Sequence, residues 1–155
     1  MKNYFLILLL AIGLMACGPD GRVYEKHKDL SPDLEWLKVD ARTFKVPIAE
    51  TAGAYDFSLS FRYIEGYPFQ VVKIKMTETS PSGAVSEKSF DLKLREDNGD
   101  YIGEPGLDIW DSSHLVEPGK VFSEKGTYTY VLEHEMPADP VNGVMEIGIV
   151  VDKAL

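Results

Sequence analysis

Apolar and polar residues alternate one by one along six segments of the chain. Because successive side chains of a β-strand point to opposite faces of a sheet, each segment can bury one face and expose the other. No long segment shows the apolar spacing of an amphipathic helix. The pattern therefore predicts an all-β fold with little helix. The apolar positions of the six segments are, in chain order, Phe44, Val46 and Ile48; Tyr55, Phe57, Leu59, Phe61 and Tyr63; Val72, Ile74 and Met76; Phe90, Leu92 and Leu94; Tyr128, Tyr130 and Leu132; and Met145, Ile147, Ile149 and Val151.

Turn-forming residues separate these segments. Several short strands with regular turn signals favour a single antiparallel β-sandwich, either jelly-roll or immunoglobulin-like. The last segment has Val144 and Val150 on its second face, which predicts a strand inside a sheet. Pro47 lacks a backbone N–H, so its segment suits a sheet edge. The turn signals are Ala52-Gly53, Glu65-Gly66-Tyr67-Pro68, Pro81-Ser82-Gly83, Asp97-Asn98-Gly99, Pro118-Gly119 and Asn142-Gly143.

Other stretches lack this alternation. From Tyr101 to Gly119 neither strand nor helix spacing is present, and we expect a long loop of the kind that often carries function. The polar stretch over residues 17–33 predicts a tether, followed by the sandwich domain over residues 34–155. Because proline suits the first position of a helix, residues 31–36 predict at most one helical turn.

The N-terminus has the organisation of an export signal. One positive charge at Lys2 precedes an apolar run that is shorter than the roughly 20 residues of a membrane-spanning helix. Residues 1–16 are therefore predicted to be a cleaved signal peptide. Leu14-Met15-Ala16-Cys17 resembles the lipobox of bacterial lipoproteins, with small Ala16 at the cleavage site. We expect Cys17 to carry a diacylglyceryl group and to anchor the chain on a membrane.

Composition narrows the class of protein. Cys17 is the only cysteine, so lipidation explains an unpaired thiol in an exported chain, and the domain has no disulfide. The 139 residues from Cys17 onward form one domain of ordinary size. Their net charge of −10, after loss of Lys2, repels phosphate backbones and excludes nucleic acid as an expected partner. It also repels anionic headgroups, so the lipid alone is expected to hold the chain at the membrane.

The polar residues predict no catalytic residue, no metal site and no cofactor. Asp111-Ser112-Ser113-His114 contains the residue types of a nucleophilic triad, but neighbours in a loop rarely adopt triad geometry. Glu133 and Glu135 fall on one strand face, where paired acids can catalyse hydrolysis, although a solvated face is commoner. Asp97-Asn98-Gly99-Asp100 lacks the closing glutamate of a calcium loop and suits a hairpin turn.

Two aromatic side chains in irregular segments are candidates for ligand binding. Tyr67 lies in a predicted turn and Trp110 in the predicted long loop, where either can also plug the end of the sandwich. Asp108 and Asp111 flank Trp110 and are included in the candidate binding site.

Motifs along nearly the whole chain resemble a known family. Val23-Tyr24 and Trp36 follow the lipobox cysteine, and Tyr67-Pro68-Phe69 forms a turn. Three further segments carry the likeness, with the second the most specific: residues 103–111, 122–136 and 139–148. Together these motifs resemble the GldH family of gliding-motility lipoproteins of Bacteroidetes. The chain differs at His134-Glu135, where the family often has Gln and Ala.

This resemblance implies a non-enzymatic lipoprotein of the cell envelope that works beside other gliding and type IX secretion lipoproteins. It brings no catalytic residues with it. Since surface export in this phylum favours acidic residues after the cysteine, and only Asp20 follows closely, we expect the periplasmic face of the outer membrane.

Two alternatives remain open on the residues alone. A glycan-binding lipoprotein would present Tyr67, Trp110 and a third aromatic side chain exposed and coplanar. A hydrolase would show a concave pocket in which Glu, Asp or His side chains converge.

Overall fold

The computed structural model describes residues 21–155, in which the strands form three antiparallel sheets. The predicted signal peptide and Cys17 lie outside the described residues. In chain order the strands are β1 Arg22–Asp29, β2 Glu35–Trp36, β3 Arg42–Ile48, β4 Tyr55–Ile64, β5 Val71–Thr79, β6 Val85–Lys93, β7 Glu104–Pro105, β8 Ile109–Lys120, β9 Gly126–His134, β10 Val141–Asn142 and β11 Val144–Lys153.

Two large sheets pack face to face. The five-stranded sheet has the order β1-β11-β4-β8-β7, and the four-stranded sheet has the order β3-β9-β5-β6. Their inner faces meet in one hydrophobic core, where the rings of Phe57 and Tyr130 lie 4.8 Å apart. The two-stranded sheet pairs β10 with β2. The predicted all-β antiparallel sandwich is confirmed.

Strand β4 shows how the alternating sequence produces this packing. Its residues are alternately buried and half-buried along all ten positions. The buried side chains, from Tyr55 to Tyr63, are at most 2% exposed. Burying one such side chain contributes about 1.5–3 kcal/mol, so this strand alone anchors much of the core. Its outward side chains remain free to build a surface site.

The positions predicted for two strands are confirmed. Strand β11 is buried on both faces over residues 147–151 and lies between β1 and β4, inside the five-stranded sheet. Strand β3 contains Pro47 and lies at the edge of the four-stranded sheet.

The long loop predicted from Tyr101 to Gly119 is wrong over most of its length, because β8 forms there. Its inward positions include polar residues, which hide the period of two. Ser112 donates a hydrogen bond to the carbonyl of Phe61, and Glu117 is buried in an ion cluster. Internal polar partners therefore replace the apolar side chains from which a strand is usually predicted.

The predicted tether over residues 17–33 is wrong beyond residue 21. Residues 22–29 form β1, which pairs with β11 as an edge strand. Its side chains are half-buried or exposed on both faces, so apolar alternation is absent. The predicted helical turn is also wrong. The amide of Leu34 donates to the carbonyl of Ser31 over 3.0 Å in a turn, and β2 follows.

Each end of the sandwich collects the connections between long strands. The N-terminal pole comprises Gly21, the connections 49–54, 80–84 and 121–125, and residues 154–155. The distal pole comprises the connections 30–41, 65–70, 94–108 and 135–143. Residues 21–155 contain no helix with the length and hydropathy needed to cross a bilayer.

Candidate functional site

A polar trough crosses the outer face of the five-stranded sheet. Its floor consists of small side chains that the register places in adjoining strands: Ser58 and Ser60 of β4, Ser113 of β8 and Gly148 of β11. Because larger side chains stand on both sides of this floor, a concavity of about 490 Å³ results. This volume lies within the range of small-ligand sites, roughly 300–1,000 Å³.

Three side chains form a hydrogen-bonded relay along the trough. His27 Nδ1 lies 3.0 Å from Ser60 Oγ, and His27 Nε2 lies 3.2 Å from Glu25 Oε1. The imidazole crosses the neighbouring strand above Gly148, which pairs with His27 on one side and Ser60 on the other. A Cβ atom at Gly148 would come within 2.6 Å of His27 Nδ1, so the missing side chain makes this approach possible.

Ion pairs form the two walls of the trough. On one side Arg62 binds Asp111 over 2.6 Å and Glu146 over 2.7 Å. The hydrogen bond with Asp111 is the main cause that raises the pKa of Arg62. On the other side Arg22 binds Asp152 over 2.6 Å and also contacts Glu25.

The charge of the walls selects against anions. Hydrogen bonds from His27 and Arg22 lower the pKa of Glu25, so its carboxylate stays ionised at neutral pH. Five carboxylates face two guanidinium groups around the concavity, the acids being Glu25, Glu104, Asp111, Glu146 and Asp152. The excess negative charge disfavours phosphate and carboxylate ligands.

The arrangement suits binding of a neutral polar group better than acyl transfer. Each serine hydroxyl can donate and accept a hydrogen bond, which matches a ligand rich in hydroxyl groups. Ser60, His27 and Glu25 have the order of a nucleophile, a base and an acid. Ser60, however, lies in mid-sheet and pairs with Gly148 and Ser113, so sheet pairing engages the backbone N–H groups that an oxyanion hole would need.

Sequence reasoning missed most of this site. Glu25 and His27 fall in the stretch interpreted as a tether, and Ser113 in the stretch interpreted as a loop. Ser58 and Ser60 lie on the polar face of a predicted strand, and a polar strand face does not by itself predict a ligand site. Only the strand order brings these residues together.

The structure corrects the candidate at Tyr67. This side chain is fully buried and packs edge-on against Tyr63, with ring centroids 5.6 Å apart. Burial raises the pKa of Tyr67 far above its ordinary value. It plugs the distal end of the core, so it cannot form part of an exposed aromatic platform.

The other candidates lie in different surroundings. Trp110 is half-buried and stacks on Tyr101, with ring centroids 4.9 Å apart. The guanidinium of Arg95 lies over the Tyr101 ring, 5.6 Å from its centroid. Asp108 is exposed at the distal pole, whereas Asp111 belongs to the trough wall. Whether Trp110, Asp108 or Asp111 contacts a ligand stays a prediction.

The side chains of the triad-like motif at residues 111–114 point alternately to the two faces of β8. Asp111 and Ser113 point to the trough, whereas Ser112 and His114 point inward. The two inward side chains bond each other, with His114 Nε2 3.0 Å from Ser112 Oγ. Burial lowers the pKa of His114, so its ring is neutral at neutral pH.

The remaining acidic motifs have structural partners. Glu133 binds Lys75 over 3.0 Å, and Glu135 is exposed beyond the end of β9. Residues 97–100 form the predicted hairpin turn, in which the amide of Gly99 donates to the carbonyl of Glu96 over 2.9 Å. Within residues 21–155 no three His, Cys, Asp or Glu side chains are grouped as metal ligands.

A buried ion cluster joins the two sheets near the N-terminal pole. Glu117 of β8 contacts Lys88 of β6 and binds Lys120 over 2.8 Å, and Lys120 binds Glu78 of β5 over 2.7 Å. Burial alone would raise the pKa of Glu117, but the hydrogen bonds from Lys120 and Lys88 outweigh it and lower the pKa. Burial alone would lower the pKa of Lys120, but the hydrogen bonds to Glu117 and Glu78 outweigh it and raise the pKa.

Comparison with known families and proteins gives consistent matches over nearly the whole chain. The model of the GldH lipoprotein family matches residues 22–151. The gliding motility lipoprotein GldH of Flavobacterium johnsoniae is 22% identical over 99% of this chain and 98% of its own length. A GldH homolog of Christiangramia forsetii is 21% identical over 94% of this chain and 89% of its own length.

Similar solved structures are much larger proteins. A GH115 4-O-methyl-α-glucuronidase aligns with 94% of this chain and 19% of its own, at a TM-score of 0.40 and 11% identity. Dimeric latent PorU from Porphyromonas gingivalis aligns with 92% of this chain and 14% of its own, at a TM-score of 0.32 and 14% identity.

Proposed function

This chain belongs to the GldH lipoprotein family, and on that premise we propose that it is a lipid-anchored, non-enzymatic assembly component of the gliding and type IX secretion machinery. The observation that carries the proposal is the extent of the family match. It begins at Arg22 and ends at Val151, and so takes in the sandwich almost from its first strand to its last.

Lipidation of Cys17 would place this sandwich at a membrane, in our proposal at the periplasmic face of the outer membrane. Confinement to a surface raises the effective concentration of the domain near other anchored envelope lipoproteins. A scaffold acts by such proximity, and it needs neither a nucleophile nor a cofactor.

The first experiment replaces Cys17 with serine in the full chain. We expect the mature protein to move from the membrane fraction to the soluble fraction and colony spreading to be lost. Affinity purification of the wild-type protein from envelope extracts should recover other envelope lipoproteins. Retention of the Cys17→Ser protein in membranes would overturn the anchoring.

A second experiment separates the scaffold from a hydrolase. Ser60→Ala removes the one hydroxyl that could act as a nucleophile in the relay, and Ser58→Ala is the matched control in the same trough. A scaffold keeps motility and secretion in both strains. Loss of function in Ser60→Ala alone, with normal protein levels, would favour the hydrolase.

Glycan binding is a second candidate, and the polar trough favours it. The floor offers hydroxyl groups without positive charge, and its volume admits a small saccharide. Because Tyr67 is buried, it cannot contribute to the exposed aromatic surface that the sequence predicted for glycan binding. Screening the protein against a broad glycan panel tests it, with Ser58→Trp as a variant that fills the trough.

A further inference from the structure

We propose that the N-terminal pole of the sandwich rests on the bilayer that holds the anchor, so that the distal pole points away from the membrane. The inference depends on the proposed lipidation of Cys17. It adds an orientation and a lipid-facing surface to that anchoring.

The first argument is the reach of the chain between the anchor and the domain. Arg22 is already held in the five-stranded sheet, where it pairs with Asp152. Five residue steps separate Cys17 from Arg22, and an extended chain spans at most about 3.6 Å per step, or about 18 Å. The ten-residue strand β4 is about 33 Å long. The N-terminal pole therefore stays near the bilayer, whereas the distal pole lies a strand length further from the anchor.

The second argument is the uneven distribution of charge between the poles. The four distal connections carry eleven acidic and two basic side chains, a net charge of −9. The connections and C-terminal residues of the N-terminal pole carry two acidic and one basic side chain, a net charge of −1. At the adjoining strand ends Arg22 pairs with Asp152, Lys120 with Glu78 and Lys153 with Glu50, so these ends add little net charge. An anionic leaflet repels the distal pole and tolerates the N-terminal pole, so charge and tether favour the same orientation.

The third argument is the chemistry of the pole surface. Val121 and Val85 are 69% and 63% exposed and line one shallow hollow at this pole. Lys125 is exposed in the same connection as Val121. Apolar side chains near a lysine suit the headgroup region, since a lysine can bury its stem and keep its ammonium group in water.

The alternative orientation lays the five-stranded sheet flat on the membrane. That orientation would press the trough, with its excess of carboxylates, against anionic headgroups. It would also bring the acidic connections 94–108 close to the bilayer. We therefore infer that the domain stands upright on its N-terminal pole.

The test uses the full acylated chain in vesicles of phosphatidylethanolamine and phosphatidylglycerol. Acylation occupies the thiol of Cys17, so an introduced cysteine is the one free thiol in the chain. Bimane is attached at Val121→Cys, at Leu107→Cys of the distal pole, or at Leu115→Cys beside the trough. All three native side chains are exposed, with fractions of 69%, 102% and 54%, so the substitutions disturb no core contact.

Quenching by nitroxide lipids reports the distance of each label from the bilayer. We expect several-fold stronger quenching at Val121→Cys than at Leu107→Cys, with Leu115→Cys between them. Lys125→Cys gives a second label in the same connection if Val121→Cys fails to fold.

Flotation of the vesicles separates the two proposals. Normal flotation with equal quenching at Val121→Cys and Leu107→Cys overturns the orientation and leaves the anchoring intact. Strongest quenching at Leu115→Cys also overturns the orientation, because the sheet would then lie flat. Failure of the acylated chain to float with the vesicles overturns both proposals.

Discussion

His27 and Ser60, 33 residues apart in the chain, are hydrogen-bonded across an intervening strand, with Nδ1 3.0 Å from Oγ. The strand between them is β11, and the residue beneath the imidazole is Gly148. The edge strand β1 is thus joined to β4 by side chains as well as through the backbone of β11. This bridge crosses the floor of the polar trough between its two walls.

Gly148→Ala should destabilise the fold and displace β1. The new methyl group would approach the carbonyl oxygen of Lys26 to 2.8 Å and His27 Nδ1 to 2.6 Å, and it would collide with Ser60 Oγ. Because backbone as well as side chains must shift, we expect a loss of about 1–3 kcal/mol in the free energy of unfolding. Urea denaturation measures it, with Ser113→Ala as the control on the same floor. An unchanged midpoint would show that β1 is not held by this contact.

Glu117→Gln should destabilise the domain more than an ordinary surface substitution. After the change the largely buried Lys120 keeps only one carboxylate partner, Glu78. We expect a loss of about 2–3 kcal/mol, less than for a buried ion left with no partner. Glu133→Gln is the matched control, since its pair with Lys75 is partly exposed and solvent screening should make its contribution much smaller. Equal losses in both variants would contradict a special role for the cluster.

The same glutamate should make stability depend on pH. In the folded chain the pKa of Glu117 lies below its ordinary value, so the unfolded chain takes up its proton first as the solution is acidified. The stabilisation is complete above the unfolded pKa of about 4.3 and is lost as the pH falls through the folded pKa. The difference in unfolding free energy between the wild type and Glu117→Gln should stay constant from pH 7 down to about pH 5 and shrink as the pH is lowered further to about 3. A difference that stays constant would mean that the folded pKa is not lowered.

Tyr63→Phe and Tyr67→Phe should have opposite consequences although both rings are buried. The hydroxyl of Tyr63 donates to the carbonyl of Leu94 over 2.9 Å and lies 3.0 Å from the carbonyl of Ile102. Its loss should cost about 1–2 kcal/mol, because two buried acceptors lose a donor. The Tyr67 hydroxyl has no hydrogen-bond partner within residues 21–155, so its removal should leave stability unchanged or raise it. Thermal unfolding of the two variants side by side tests the contrast, and a larger loss in Tyr67→Phe would refute it.

The fold was predictable where one face of a strand is apolar, and the clearest case is β4. Prediction failed where a strand meets polar groups on its inner face. In β8 the inward Ser112, His114 and Glu117 find internal partners, so a strand carries the residue types of a loop. Prediction also failed for β1, because the side chains of this edge strand are half-buried or exposed on both faces.

The candidate site was less predictable than the fold. Pairing register, which the sequence does not display, places Ser60 beside Gly148 and His27. Tyr67 was misassigned because its neighbours Gly66 and Pro68 indicate a surface turn, whereas the ring itself turns inward to fill the distal end of the core.

Strand β1 begins at the N-terminal pole, and in the proposed upright orientation its axis runs along the direction in which the anchor would pull. Hydrogen bonds between antiparallel strands lie perpendicular to the strands. A pull on the anchor would therefore slide β1 along β11 and load all of its backbone bonds together, and it would not peel them apart one at a time. In this geometry β1 would be a mechanically resistant attachment, which suits the lipid-anchored assembly role proposed above.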